Sequence, residues 1–147
     1  MSDLGLTHVA FVVRDLDRSI GFYQRYAAMK VVHRRPGPHA GSAVAWLSDL
    51  TRPFVIVLVH SEALQPDRPL GPFGHLGVGC ATREEVDRLC AQARAEDVLV
   101  SGPTDSGPPV GYWAFLHDPD GNTVELAYGQ EVAFTVDHAV VQAGAEP

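Results

Sequence analysis

The strongest constraint on the fold of this chain is an internal repeat: one strand–helix–strand–strand–strand order occurs twice, with His75 standing 67 positions after His8 at the head of the second copy. In the first copy THVAFVV (7–13) is rich in β-branched and aromatic residues and reads as a strand. RDLDRSIGFYQRYA follows, where Asp15 or Asp17 caps a helix whose apolar positions Leu16, Ile20, Tyr23 and Ala27 recur at helical spacing. MKVVHR (29–34), AVAWLS (43–48) and PFVIVLVH (53–60) supply three more strands, with PGPHAGS as a loop after the first of them. In the second copy HLGVGC (75–80) is a strand, and Thr82 to Glu85 matches a capping box ahead of the apolar stripe Val86, Leu89, Cys90 and Ala93. VLVS (98–101), YWAFLH (112–117) and TVELAY (123–128) complete it, the last two joined by the turn Asp118-Pro119-Asp120-Gly121-Asn122.

The organisation expected is therefore α+β: a first βαβββ module over 1–60, a linker over 61–74 marked by three prolines and two glycines, a second module over 75–128, and a partly ordered tail over 129–147. One helix does not cover both faces of a four-stranded sheet, so two modules must pack together or against another chain.

Composition excludes several function classes. The chain has 147 residues and a formal charge of −7, with 11 Lys and Arg against 18 Asp and Glu, and no basic stripe that would gather nucleic acid. No run approaches the roughly 18 apolar residues of a membrane span, and the N-terminus lacks the layout of a secretory signal. Two cysteines, Cys80 and Cys90, are too few for a disulfide framework and read as small buried hydrophobes of a reducing compartment. A cytoplasmic location is the expectation that follows.

The candidate chemistry lies on strand faces. In the first strand His8, Ala10 and Val12 share a face; in the fifth, His75, Gly77 and Gly79 do; in the last, Thr123, Glu125 and Ala127 do. Small residues beside each histidine leave room for a ligand. A single strand histidine is more often a satisfied core residue, but an unpaired carboxylate is expensive to bury, and two histidines at equivalent repeat positions are hard to dismiss together. Two imidazoles and one carboxylate with open positions make the facial set used by non-haem iron and by related manganese, nickel or zinc sites.

Two stretches extend this reading. HVAFVVRDLDRSIGFY (8–23) and LHDPDGNTVEL (116–126), with HLGVGC between them, resemble the vicinal-oxygen-chelate superfamily, also called the glyoxalase/bleomycin-resistance/dioxygenase family, across residues 6–128. The resemblance implies a cupped eight-stranded mixed sheet around one divalent metal ion (Fe, Mn, Ni or Zn), with His8, His75 and Glu125 on the family's ligand positions. It also implies a small-molecule substrate with adjacent oxygens and a homodimer, with no nucleic acid and no membrane as partners.

Departures from the family pattern narrow the reaction. Glyoxalase I enzymes carry a fourth ligand, a Glu, in the last strand of the first module; here the repeat offset points to Leu58, or to Val57 with one residue of slippage, and neither ligates. His60 reaches that face only with a register shift. Extradiol ring-cleavage dioxygenases use two His and one Glu, but place a Tyr where this chain has Phe115. Tyr112 and His117 lie near that strand as catalytic substitutes, and by parity His117 shares the face of Phe115 while Tyr112 does not. The leading expectation is a metal-dependent enzyme with lyase or isomerase chemistry on vicinal oxygens. The alternatives are an Fe(II) ring-cleavage dioxygenase and a metal-free protein that binds a drug or metabolite.

Overall fold

The computed structural model describes residues 3–144. Its elements are β1 (His8–Val12), α1 (Leu16–Ala27), β2 (Lys30–Pro36), β3 (Ala43–Ser48), β4 (Val55–His60), β5 (His75–Gly79), α2 (Arg83–Ala95), β6 (Leu99–Asp105), β7 (Tyr112–His117), β8 (Thr123–Tyr128) and α3 (Val132–Gly144). The eight strands form two four-stranded sheets, in the orders β1-β4-β3-β2 and β5-β8-β7-β6. The βαβββ order thus gives the same topology twice. In the first sheet β1 lies parallel to β4, and the β3 pairings with β2 and β4 are antiparallel.

The chain divides into two compact units: one takes the residues up to Leu76 together with His117–Thr123, and the other takes Gly77–Leu116 with the chain from Val124 onward. The turn of the second module's last hairpin therefore belongs with the first module.

Local signals account for the helices. Asp15 is the N-cap of α1, its side chain accepting from the Arg18 backbone N–H at 3.0 Å. Leu16, Ile20, Phe22, Tyr23, Tyr26 and Ala27 are buried, and the helix packs on β3 and β4 over Ala45, Leu47, Ile56 and Leu58. At α2, Thr82 accepts from the Glu85 N–H at 3.1 Å while the Glu85 carboxylate accepts from the Ala81 N–H at 2.9 Å. This is a capping box whose return bond lands one residue early. Val86, Cys90 and Ala114 form a buried cluster joined by Cys80, Leu99 and Tyr112. Burial, followed by the nearby Glu85 charge, pushes the Cys80 thiol up to about 11, in keeping with a packing role.

The tail forms more structure than its composition suggests. Val132–Gly144 is helical, opened by Thr135, whose N–H donates to the Glu131 carbonyl at 3.0 Å. None of its residues is buried, and Val132, Phe134, Val136, Val140 and Val141 are all exposed.

A buried polar node ties the turn to α1 within the first unit. Asp118 is 4% exposed. One carboxylate oxygen accepts from the backbone N–H groups of Asp120 (2.9 Å) and Asn122 (2.8 Å), and the other from the Tyr23 hydroxyl (2.8 Å) and the Asn122 amide (3.1 Å). Burial, then the Asp118 charge and hydrogen bond, hold the Tyr23 phenol well above the ordinary tyrosine range. The unfolded phenol releases its proton near pH 10 and the folded one keeps it. This contribution is therefore fully present below about pH 10 and is lost as pH rises, at up to about 1.4 kcal/mol per pH unit. Urea unfolding of wild type and Tyr23→Phe between about pH 8 and about pH 11 is expected to show the steeper decline in wild type; equal slopes would remove Tyr23 as its source.

Candidate active site

The register of the first sheet defines one face. His8 pairs with Val55 and Ala10 with Val57; Val57 pairs with Trp46, and Trp46 with His33. Paired residues share a face, so His8, Ala10, Val55, Val57, Trp46 and His33 line up opposite the face covered by α1. Leu58, fully buried, points to α1. Of the two residues left open by the repeat offset, Val57 is the one on the face of His8. His60 has the parity of Leu58, and its Nδ1 meets the Val13 carbonyl at 3.1 Å, so it does not join that face.

A cavity of about 470 Å³ opens on this face, lined by His8, Ala10, Trp46, Ser48, Val55 and Val57 among others, with Arg35 and Arg52. Trp46 is 38% exposed, so it serves as a wall of the cavity and not as core filling.

Both candidate imidazoles are oriented through Nδ1. In His75 that nitrogen lies 2.6 Å from the Phe73 carbonyl, which only accepts, so Nδ1 carries a proton and donates it there. In His8, Nδ1 pairs with the Thr7 hydroxyl at 2.9 Å. Metal-binding histidines commonly have one ring nitrogen tied to an oxygen in this way. On β5 a Cβ added at Gly77 or Gly79 would meet nothing within 4 Å, which leaves space on the face that His75 shares. Glu125 is 7% exposed, between the fully buried Val124 and Leu126 that face the other way, and its carboxylate accepts from the Gln130 amide. Two nitrogen donors and a carboxylate fit a divalent ion by donor type.

Among the described residues, no three His, Cys, Asp or Glu side chains are gathered into a group able to hold an ion. His8 and His75 belong to the first unit and Glu125 to the second.

The catalytic candidates separate. Tyr112 faces α2: its hydroxyl donates to Asp87, and the Arg83 guanidinium lies 3.9 Å over its ring. Arg83 in turn bonds Asp105 at 2.8 Å, so Tyr112 is part of a latch between α2 and its sheet. His117 alternates with the fully buried Leu116 and shares the parity of Phe115 and Trp113, whose rings lie 4.9 Å apart. Arg35, Arg52 and Gln130 were not among the residues singled out from sequence.

Two copies of a βαβββ unit, each opening on a histidine, define the class of fold to which the chain belongs. The chain belongs to the Glyoxalase/Bleomycin resistance protein/Dioxygenase superfamily, whose family model matches residues 5–126. It is 40% identical over 126 residues to an uncharacterized protein of Pseudomonas aeruginosa, covering 85% of this chain and 89% of that one. It is 33% identical over 124 residues to a lactoylglutathione lyase of Arabidopsis thaliana, covering 81% of this chain but 42% of the plant protein. Among solved structures it is similar to the trypanothione-dependent glyoxalase I of Leishmania major, at 25% identity and a TM-score of 0.71, covering 98% of this chain and 100% of that one. No helix among the described residues is long and apolar enough to cross a membrane.

Proposed function

We propose that this chain is a metal-dependent enzyme of lyase or isomerase type, with His8, His75 and Glu125 as protein ligands of one divalent ion, acting on a small molecule with adjacent oxygens as a homodimer in the cytoplasm. The observation that carries this reading is the orientation of the two imidazoles: His75 Nδ1–H donates to the Phe73 carbonyl and His8 Nδ1 pairs with the Thr7 hydroxyl, ties of the kind that orient metal-binding histidines. A bound ion supplies Lewis acidity toward the substrate oxygens. The side chains around it do the rest. Thr7 orients His8, Gln130 holds one oxygen of Glu125, and the apolar wall of Ala10, Val55 and Val57 limits water beside the reacting atoms. Lactoylglutathione lyase relatives support the lyase class, while Val57 in place of a fourth carboxylate argues for a substrate other than that of a standard glyoxalase I.

Metal analysis tests this directly. Protein purified without chelators or added ions is expected to hold about one ion per active site, and His8→Ala, His75→Ala and Glu125→Ala are each expected to lose at least about tenfold in metal affinity. Equal occupancy in all four proteins, or none in any, would overturn the assignment.

A further inference from the structure

We infer that the cavity beside His8 selects an organic anion with a flat apolar body, gripped by Arg35 and Arg52 and laid against Trp46.

The charges lining the cavity run against those of the chain. The chain as a whole carries a formal −7, yet two guanidiniums line this cavity against the single carboxylate of Asp3 in its lining. Three other arginines hold carboxylates: Arg14 pairs with Asp120 at 3.4 Å, Arg34 with Asp17 at 2.9 Å and Arg83 with Asp105 at 2.8 Å. Arg35 and Arg52 differ. Among the described residues neither has an ion pair, and their hydrogen bonds are long ones to neighbours in sequence, Arg35 to the Pro36 carbonyl at 3.5 Å and Arg52 to the Thr51 hydroxyl at 3.4 Å. Asp49, the carboxylate nearest Arg52 along the chain, is taken by Thr51, accepting from its N–H at 2.9 Å and its hydroxyl at 2.7 Å. Two planar donor forks in the lining of one cavity, neither in a salt bridge among the described residues although Asp49 feels the Arg52 charge, suit an anionic group of a ligand.

The rest of the lining sets the body of that ligand. Val32, Val55, Val57, Ala10, Pro53 and Phe54 are apolar, and Trp46 presents a large flat surface to the same space. The Trp46 ring is itself backed by His33, 5.0 Å away, so its orientation is set before a ligand arrives. Pockets of this size, mostly apolar with a few placed polar groups, bind small molecules and orient them by those groups. Gripped at the arginines, an aromatic ring lies along Trp46 with its far atoms toward His8, which makes Arg35, Arg52 and Trp46 specificity residues and leaves the chemistry to others. The inference rests on the proposed function only in taking this cavity for the substrate's; the binding it describes needs no metal.

The test is therefore made in excess EDTA, with Trp113→Phe as background so that Trp46 reports by fluorescence. Benzoate is the probe, with benzamide as its neutral isostere and acetate as the anion without a ring. Saturable quenching by benzoate is expected below about 10 mM, with benzamide and acetate at least about tenfold weaker. Arg35→Gln and Arg52→Gln are each expected to weaken benzoate at least about fivefold and leave benzamide unchanged, and Asp3→Asn to strengthen benzoate. Benzamide binding as well as benzoate, Gln variants that bind benzoate like the parent, or no saturation by benzoate would each overturn the inference. Because the ion is absent throughout, failure of the metal assignment shows in metal analysis and failure of this one shows here.

Discussion

Replacing Asp118 by alanine is expected to lower stability by about 4 kcal/mol and the melting temperature by about 8–16 °C. One carboxylate serves four donors in a site that is 4% exposed. Its removal leaves the Tyr23 hydroxyl, the Asn122 amide and two backbone N–H groups without their acceptor, and each buried orphan costs about 1–3 kcal/mol before water enters to offset part of it. Asp118→Asn keeps an acceptor oxygen and places an amide where donors already crowd, so an intermediate loss of about 2 kcal/mol is expected. Calorimetry of the three proteins checks the order; Asp118→Ala melting within about 2 °C of wild type would refute the account.

The second large effect is expected at Gly111, where alanine should cost about 3 kcal/mol or more. Its φ is +84°, a region L-residues enter only with strain. An added Cβ would also stand 2.4 Å from the Tyr128 carbonyl oxygen, 2.9 Å from the Gly129 carbonyl carbon and 3.0 Å from the Gln130 nitrogen. These are backbone atoms, which cannot swing aside as a side chain would, so β7 and the chain leaving β8 must separate. Gly77→Ala is the control: nothing lies within 4 Å of its Cβ, and a gain or loss under about 1 kcal/mol is expected. Denaturant unfolding in which the two variants shift alike would overturn the steric explanation.

Much of this fold was legible because each signal was local or periodic. The capping box at Thr82, the cap at Asp15 and the apolar stripes of both helices act within one turn, and the structure has them where the residues stand. The alternation in β1 grouped His8 with Ala10 on one face, and the register then separated Val57 from Leu58, which a repeat offset alone could not. The cavity arginines were less readable. Val31 pairs with Leu47, on the face toward α1, whereas His33 pairs with Trp46 on the other, because a bulge lies between them. A plain count by twos from Val31 would therefore put Arg35 against the helix, when it lines the cavity. Arg52 sits in a loop, where no period applies. The extension of β6 through Gly102 and Pro103 to Asp105 was hidden by residues that ordinarily mark a loop. For α3, exposed on every side, no buried stripe set a phase that a sequence pattern would reveal.

The turn His117–Thr123 gives the duplicated architecture an unequal division of labour. Asn122 accepts from the Leu70 N–H at 3.2 Å, and the Thr123 N–H donates to the Leu70 carbonyl at 2.8 Å, so this turn is stitched to the connector between the repeats as well as to α1. A break in the covalent chain anywhere between Leu70 and Asp118 would leave the buried phenol of Tyr23 and the carboxylate that satisfies it on different fragments. The repeats are alike in outline yet no longer interchangeable parts: the earlier one is finished only after the later one has been synthesised almost to its end, so on the ribosome neither half attains its native hydrogen bonding first.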